Sequence, residues 1–206
     1  MSDYVYLFIA IIPSIVLHEV SHGYVANLCG DPTAKENHRL TLNPLRHVDP
    51  FGTILLPALL VFSGLPGFGY AKPVPVNFAR LRHPRTQSLY VSLAGPLVNV
   101  ILSAAGYGLC ELAIHVTQNI TMLRLGEYLG LVNLTLAVFN MLPIPPLDGS
   151  ALIERFVPNR RLPGYYRFRS MALPLVMGLI ILDSVFFHVG SHALNNLQDW
   201  WLNLLV

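Results

Sequence analysis

Charge is scarce in this chain, and so is sulfur. Of its 206 residues only 12% are Asp, Glu, Lys or Arg, about half of what a soluble domain carries. Apolar residues fill the deficit at 53%, for a mean hydropathy of +0.53. They gather in several long runs rather than serving one buried core, which excludes an ordinary soluble domain and points to an all-α polytopic membrane protein. A net charge of +2 is too mild to suggest a nucleic-acid surface. The two cysteines, Cys29 and Cys110, fall near opposite ends of different predicted helices. That argues against a disulfide and a zinc-type cysteine pair, and leaves both as small buried residues. No basic stretch precedes the first apolar run, so no removable signal peptide is expected. Nor is there an internal repeat. The length suits a single domain over residues 1–206, with a core over 4–153 and C-terminal helices over 171–206.

What is present is a set of runs near the length of roughly 20 residues that a bilayer requires. The pattern predicts transmembrane helices over about 4–28, 87–114, 126–147 and 171–190. A fifth stretch, 51–65, is short for a span and carries Pro57 and Gly64, which suits a re-entrant segment that dips in and returns. The tail from Ala193 spaces Leu194, Leu197, Trp201, Leu204 and Leu205 in near-helical register among Asn and Gln residues, the signature of an interfacial helix. If 51–65 dips, loops 29–50, 66–86 and 148–170 lie on one side. They hold 12 of the 13 basic residues, all except Arg124. By the positive-inside rule that side is cytosolic, and the N-terminus is outside.

The first apolar run contains His18-Glu19-Val20-Ser21-His22. On a helix His18 and His22 share a face, so their imidazoles can converge on one metal ion. Glu19 is one position off that face, placed to act on a metal-bound water as general base without binding the metal. Three ionisable groups within one turn of a membrane helix are costly to insert, which favours a functional reason for them. Two histidines do not complete a catalytic zinc site, which takes three protein ligands and one open position. Asp148 is the outstanding candidate. It follows an apolar helix broken by Pro143, Pro145 and Pro146, and the topology puts it on the side of His22. The other reading is a helix-end carboxylate at the interface. Asn140 is similarly open, as a donor to a developing oxyanion or as an interhelical hydrogen-bonding residue.

Three separated motifs then carry a resemblance. His18–Gly23 in a first helix, Ser92-Leu93-Ala94-Gly95-Pro96 in a second, and Asn140-x-x-Pro143-x-x-x-x-Asp148-Gly149 in a third look like the site-2 protease family of intramembrane zinc metalloproteases. Gly30–Lys35, Leu40–Pro50 and Ala71–Asn77 are similar to its compact prokaryotic branch, which lacks PDZ and nucleotide-binding regulatory domains. The match covers residues 14–153. The resemblance implies one zinc ion held by His18, His22 and Asp148, Glu19 as general base, and Asn140 as oxyanion stabiliser. Ser150 stands where a second Gly is common. The implied function is cleavage of a peptide bond in or near the transmembrane segment of a single-pass membrane protein. The implied setting is a multi-pass protein of a prokaryotic inner membrane with its site toward the cytosol. The alternative is a membrane metal transporter or metal-binding protein using the same residues, although such a protein has no use for Glu19.

Other residues have roles independent of that likeness. Ser88, Ser92 and Gly95 fall near one helical face, where small residues let membrane helices approach closely, and their helix is read as a structural brace for the one carrying His18 and His22. Asn99, one turn beyond, is placed to hydrogen-bond across the bundle. His47 and Asp49 either fix the turn into the dipping segment or line the route to the metal. Asp183, Glu111, His115 and His188 are read as outer-surface or interfacial groups. The Pro- and Gly-rich stretch from Phe51 to Asn77 suits a gate that receives an extended substrate, or a plain connector.

Overall fold

A computed structural model describes residues 2–64, 69–183 and 189–205. Among them every regular element is a helix and there is no strand. Helix α1 runs Asp3–Leu28. Its stop is encoded by Gly30, which sits at φ +108. Gly30 N–H donates to Asn27 C=O and Asp31 N–H to Ala26 C=O, the paired bonds of a glycine-terminated helix. A short helix α2, Thr33–Glu36, follows.

Residues Pro50–Leu55 then form a π-helical turn, and α3 spans Leu56–Phe62. Asp49 caps the turn, accepting from Phe51 N–H and Gly52 N–H. The chain comes back to where it left. Tyr70 N–H donates to Gly52 C=O, Thr53 Oγ1 donates to Tyr70 C=O, and Lys72 N–H donates to His47 C=O. The apolar stretch Pro50–Phe62 is also too short to span. Residues 51–64 therefore enter and return at one end of the bundle, as a re-entrant segment must. Position 65, the end of the predicted dip, lies outside the described residues, as do Pro66 and Gly67.

Helix α4, Pro84–Leu112, begins with Pro at its first position, where a missing N–H costs nothing. Helix α5, Ile120–Met141, starts from Asn119, whose side chain accepts from Thr121 N–H and Met122 N–H. It begins six residues before the predicted 126 and ends six before the predicted 147. Composition put the span too far along, because Leu142–Leu147 is apolar but its three prolines cannot continue a helix. Helix α6, Ser150–Glu154, and helix α7, Leu162–Leu182, follow, joined where Tyr165 Oη donates to Ser150 C=O and Tyr166 Oη to Glu154. The segments Leu162–Arg169 and Pro174–Leu182 of α7 meet at 54°, with Pro174 at the bend. Helix α8 is Val189–Leu202. The predicted fourth span, 171–190, thus starts inside α7, and residues 184–188, with His188, lie outside the described residues.

Helices α1, α4 and α5 are long and apolar enough to cross a membrane, and α7 makes a fourth if its bent halves form one span. Their packing is that of a membrane protein. The outer faces expose Phe8, Ile12, Leu97 and Ile101, while the buried interior holds Ser14, Asn99, Ser103 and Asn133. Close approach depends on glycine. A Cβ on Gly106 would lie 2.4 Å from Gly130 N, and one on Gly130 would lie 2.0 Å from the Trp201 ring. Trp201 of α8 is thereby wedged at the α4–α5 crossing, edge-on to Tyr107.

The connecting loops gather at the opposite end. Arg82 N–H donates to Cys29 C=O, Arg80 pairs with Glu36, and Arg85 donates to the carbonyls of Arg155 and Val157. Loops 29–50, 69–83 and 148–161 therefore share one side of the bundle.

Candidate metal centre

Helical spacing in α1 places His18 and His22 on one face, with ring centroids 4.7 Å apart and planes at 85°. Each ring is held through Nδ1. His22 Nδ1–H donates to Val91 C=O at 2.7 Å, and His18 Nδ1 is bonded to Asn99 Oδ1. With Nδ1 so engaged, each ring turns its Nε2 inward. The two Nε2 atoms are 3.1 Å apart and face a common point.

Asp148 arrives from the loop after α5. Because that helix cannot continue through the prolines, the chain folds back until Gly149 N–H donates to Asn140 C=O at 2.7 Å. A Cβ on Gly149 would meet Met141 O at 2.2 Å, so the reversal needs glycine there. It brings Asp148 Oδ2 to 3.2 Å from His18 Nε2 and 3.4 Å from His22 Nε2. That oxygen is buried and accepts no hydrogen bond.

Helix α4 clears the space above. A Cβ on Gly95 would fall 2.5 Å from His18 Cε1 and 2.5 Å from His22 Nε2. The sequence assigned Gly95 to close helix packing, and its contact with this site emerges only in three dimensions.

Three ligand atoms, one from each of His18, His22 and Asp148, lie within 4.8 Å of one another. Around a tetrahedral ion with bonds of about 2.0–2.1 Å, neighbouring ligand atoms stand about 3.3 Å apart. The separations of 3.1, 3.2 and 3.4 Å fit that requirement. The donor set of two imidazoles and one carboxylate, with an orphaned buried oxygen, suits a divalent cation.

Glu19 borders this cluster. Its Oε2 accepts from Val74 N–H at 2.9 Å. Val74 belongs to a non-helical strap, residues 71–77, lashed down by three polar groups. Arg39 Nη2 donates to Lys72 C=O, His47 C=O holds Lys72 N–H, and Asp31 accepts from Asn77 N–H at 2.6 Å. His47 is itself buried, with Nε2 on Thr41 C=O. Both His47 and Asp49 therefore fix the approach to the dipping segment rather than touching the cluster. Asn140 is close in sequence, but its Nδ2 donates to Leu136 C=O within its own helix. Cys29 and Cys110 are free.

Sequence reasoning missed Val74, Val91, Ser14 and Asn133. The first two act through backbone groups and leave no trace in residue type. Ser14 and Asn133 were detectable, since each is a polar residue inside an apolar span.

A profile of peptidase family M50 matches residues 110–182, which include Asn140 and Asp148 but not the two histidines. The protein named "Putative zinc metalloprotease YwhC" of Bacillus subtilis (strain 168) is 45% identical over 161 residues, 74% of this chain and 69% of its own length. "Putative zinc metalloprotease Rip2" of Mycolicibacterium smegmatis is 34% identical over 157 residues, 74% of this chain and 59% of its own. "Zinc metalloprotease MJ0392" of Methanocaldococcus jannaschii is 28% identical over 200 residues, 90% of this chain and 48% of its own. The chain thus spans about half to two-thirds of the length of these relatives. No solved structure matches it.

Proposed function

The chain belongs to peptidase family M50, the site-2 protease family, and on that premise we propose that it is a zinc endopeptidase of the membrane. It cuts a peptide bond in or near the transmembrane segment of another membrane protein. The observation that carries this reading is the convergence of His18 Nε2, His22 Nε2 and Asp148 Oδ2 beside Glu19. These three atoms would hold the zinc ion. When bound, zinc acidifies a coordinated water and polarises the scissile carbonyl.

The remaining steps belong to the protein. Glu19 takes a proton from the attacking water as the water oxygen bonds to the carbonyl carbon. The C–N bond then breaks, and Glu19 returns that proton to the leaving amine. Before this, the carboxylate exchanges its hydrogen bond from Val74 N–H for one from the water. Asn140 stabilises the oxyanion by turning its amide from Leu136 C=O toward the carbonyl oxygen. Gly95 keeps α4 from filling the space over the histidines. A helical substrate hides its amides in backbone bonds and must unwind to be cut, so a single-pass protein with a weak helix suits the site. The active site faces the cytosol of a prokaryotic cell, a reading supported by the basic loops that share its end of the bundle.

The test is Glu19→Gln, which keeps side-chain size but not the ability to accept a proton. Zinc content of the purified variant is expected to match the parent. Cleavage should fall by at least the roughly 10²–10⁴-fold that general-base catalysis contributes, and an uncut membrane stub should accumulate in cells. Near-normal proteolysis by the zinc-loaded variant removes Glu19 as the base.

A further inference from the structure

Behind His18 lies a chain of buried side chains that the proposed reaction does not use. Asn99 of α4, Asn133 of α5 and Ser14 of α1 are each 0% exposed, and together they link all three central helices. Asn99 Nδ2 donates to Asn133 Oδ1 at 2.7 Å. Asn133 Nδ2 donates to Ser14 Oγ at 2.7 Å and to Leu129 C=O at 2.8 Å. Ser14 Oγ–H donates to Ala10 C=O at 2.7 Å.

The chain has only one workable polarity. Backbone carbonyls accept and never donate. Leu129 C=O therefore requires the NH₂ side of Asn133, and Ala10 C=O takes the only proton of Ser14, leaving Ser14 Oγ to accept. With its NH₂ so committed, Asn133 presents Oδ1 to α4, and Asn99 must answer with Nδ2. Asn99 then has only Oδ1 left for His18, whose Nδ1 must carry the proton. In a water-poor interior a reversed amide would set two donors or two acceptors face to face, each costing the desolvation of a buried polar group.

We propose that Asn99, oriented by Asn133 and Ser14, is a positioning residue that locks His18 in its Nδ1–H tautomer with Nε2 aimed at the metal. The inference rests on the reading of His18 as a zinc ligand. His22 has a simpler device, the Val91 carbonyl, which is fixed by its own helix. Asn99 needs its two supporters because an amide, unlike a backbone carbonyl, can turn over.

The test uses the full chain in detergent micelles, with zinc affinity measured against a chelator and the visible spectrum recorded with cobalt in place of zinc. Asn99→Leu keeps the volume and removes the acceptor. Its zinc affinity should fall roughly 10- to 100-fold, the usual cost of losing a partner behind a metal-bound histidine, and its cobalt bands should shift. Asn99→Asp keeps an acceptor for His18 Nδ1 but sets a carboxylate oxygen against Asn133 Oδ1 in place of Nδ2, so affinity should recover part of the way from the Asn99→Leu value toward the parent. Ser103→Ala is the structural control, because Ser103 Oγ bonds Gly130 C=O between the same two helices without reaching His18. It should lower thermal stability and leave affinity and spectrum unchanged. Equal loss of affinity in Ser103→Ala and Asn99→Leu overturns the lock, as does an Asn99→Leu protein with parental affinity and spectrum. If Asn99→Leu does not fold, Asn99→Asp carries the test, since a carboxylate behind His18 must change ligand strength. An unchanged cobalt spectrum there overturns the lock. A parent chain that binds neither metal overturns the zinc reading as well, and Asp148→Ala marks the affinity of a broken site.

Discussion

A single hydrogen atom decides whether Gly95 can be replaced. The nearest imidazole atoms stand 2.5 Å from the position of a would-be Cβ, well inside van der Waals contact, and both belong to side chains tied at their far nitrogens. Neither ring can retreat without breaking its bond to Asn99 or Val91. Gly95→Ala is therefore expected to reduce zinc content sharply, while helix content by circular dichroism stays unchanged because alanine suits a helix interior. Stoichiometric zinc in the purified Gly95→Ala protein would mean that α4 shifts to make room. Residue type announced His18, Glu19 and His22 as one group, because helical spacing alone puts two imidazoles on a common face. It set the helix of Gly95 against theirs as a brace but did not put Gly95 on the rings themselves, since a small residue in a membrane helix fits any close contact.

Elements of this protein end where backbone chemistry stops them, and apolar content is a poor guide to those ends. Helix α5 stops at Met141 although the chain stays apolar to Leu147, and that early stop frees the residues that turn Asp148 back toward α1. Helix α8 illustrates a different limit. Its amphipathic spacing predicted an interfacial helix, and the structure adds that Trp201 is 3% exposed against Gly130 and Tyr107. Gly106, at the same crossing, lies about 17 Å along α4 from Gly95 by helical rise. Trp201→Ala should thus act on stability rather than chemistry. A loss of about 3 kcal/mol is expected from emptying such a pocket, read as a lower melting temperature in micelles. Turnover at a temperature where both proteins are folded should stay near that of the parent. A large drop in turnover with no change in melting would place α8 in the catalytic machinery instead.

For the whole molecule, the arrangement of loops around one end of the bundle makes a topological prediction. A cysteine at Lys35 and another at Lys72, on either side of the dipping segment, should be labelled by an impermeant reagent from the same side of the membrane, and one at Arg124 from the other. The closure of residues 52–53 on Tyr70 requires the first result, because a segment that returns to its starting point does not cross. The charge count had favoured the same answer for a separate reason, that a crossing would divide Lys35, Arg39 and Arg46 from the other nine basic residues of the loops. Labelling of Lys35 and Lys72 from opposite sides would overturn both arguments together.

By itself the sequence determined the solvent, the helical class, the dip and the pairing of His18 with His22. All of these follow from hydrophobic run length, the placement of charge and helical periodicity, which are local properties. It also singled out Asp148, because a carboxylate in a proline-broken apolar stretch is costly without a cation. Only the tertiary structure decided that Asp148 Oδ2 reaches both imidazoles, since that depends on Gly149 closing onto Asn140 C=O. It alone gave Glu19 its present partner, the N–H of Val74, and left the Asn140 amide on Leu136 C=O. Ser14, Asn99 and Asn133 look like three unrelated polar residues along the chain. They become one chain of hydrogen bonds because three helices meet there, and at 0% exposure they are linked to one another across the helix boundaries.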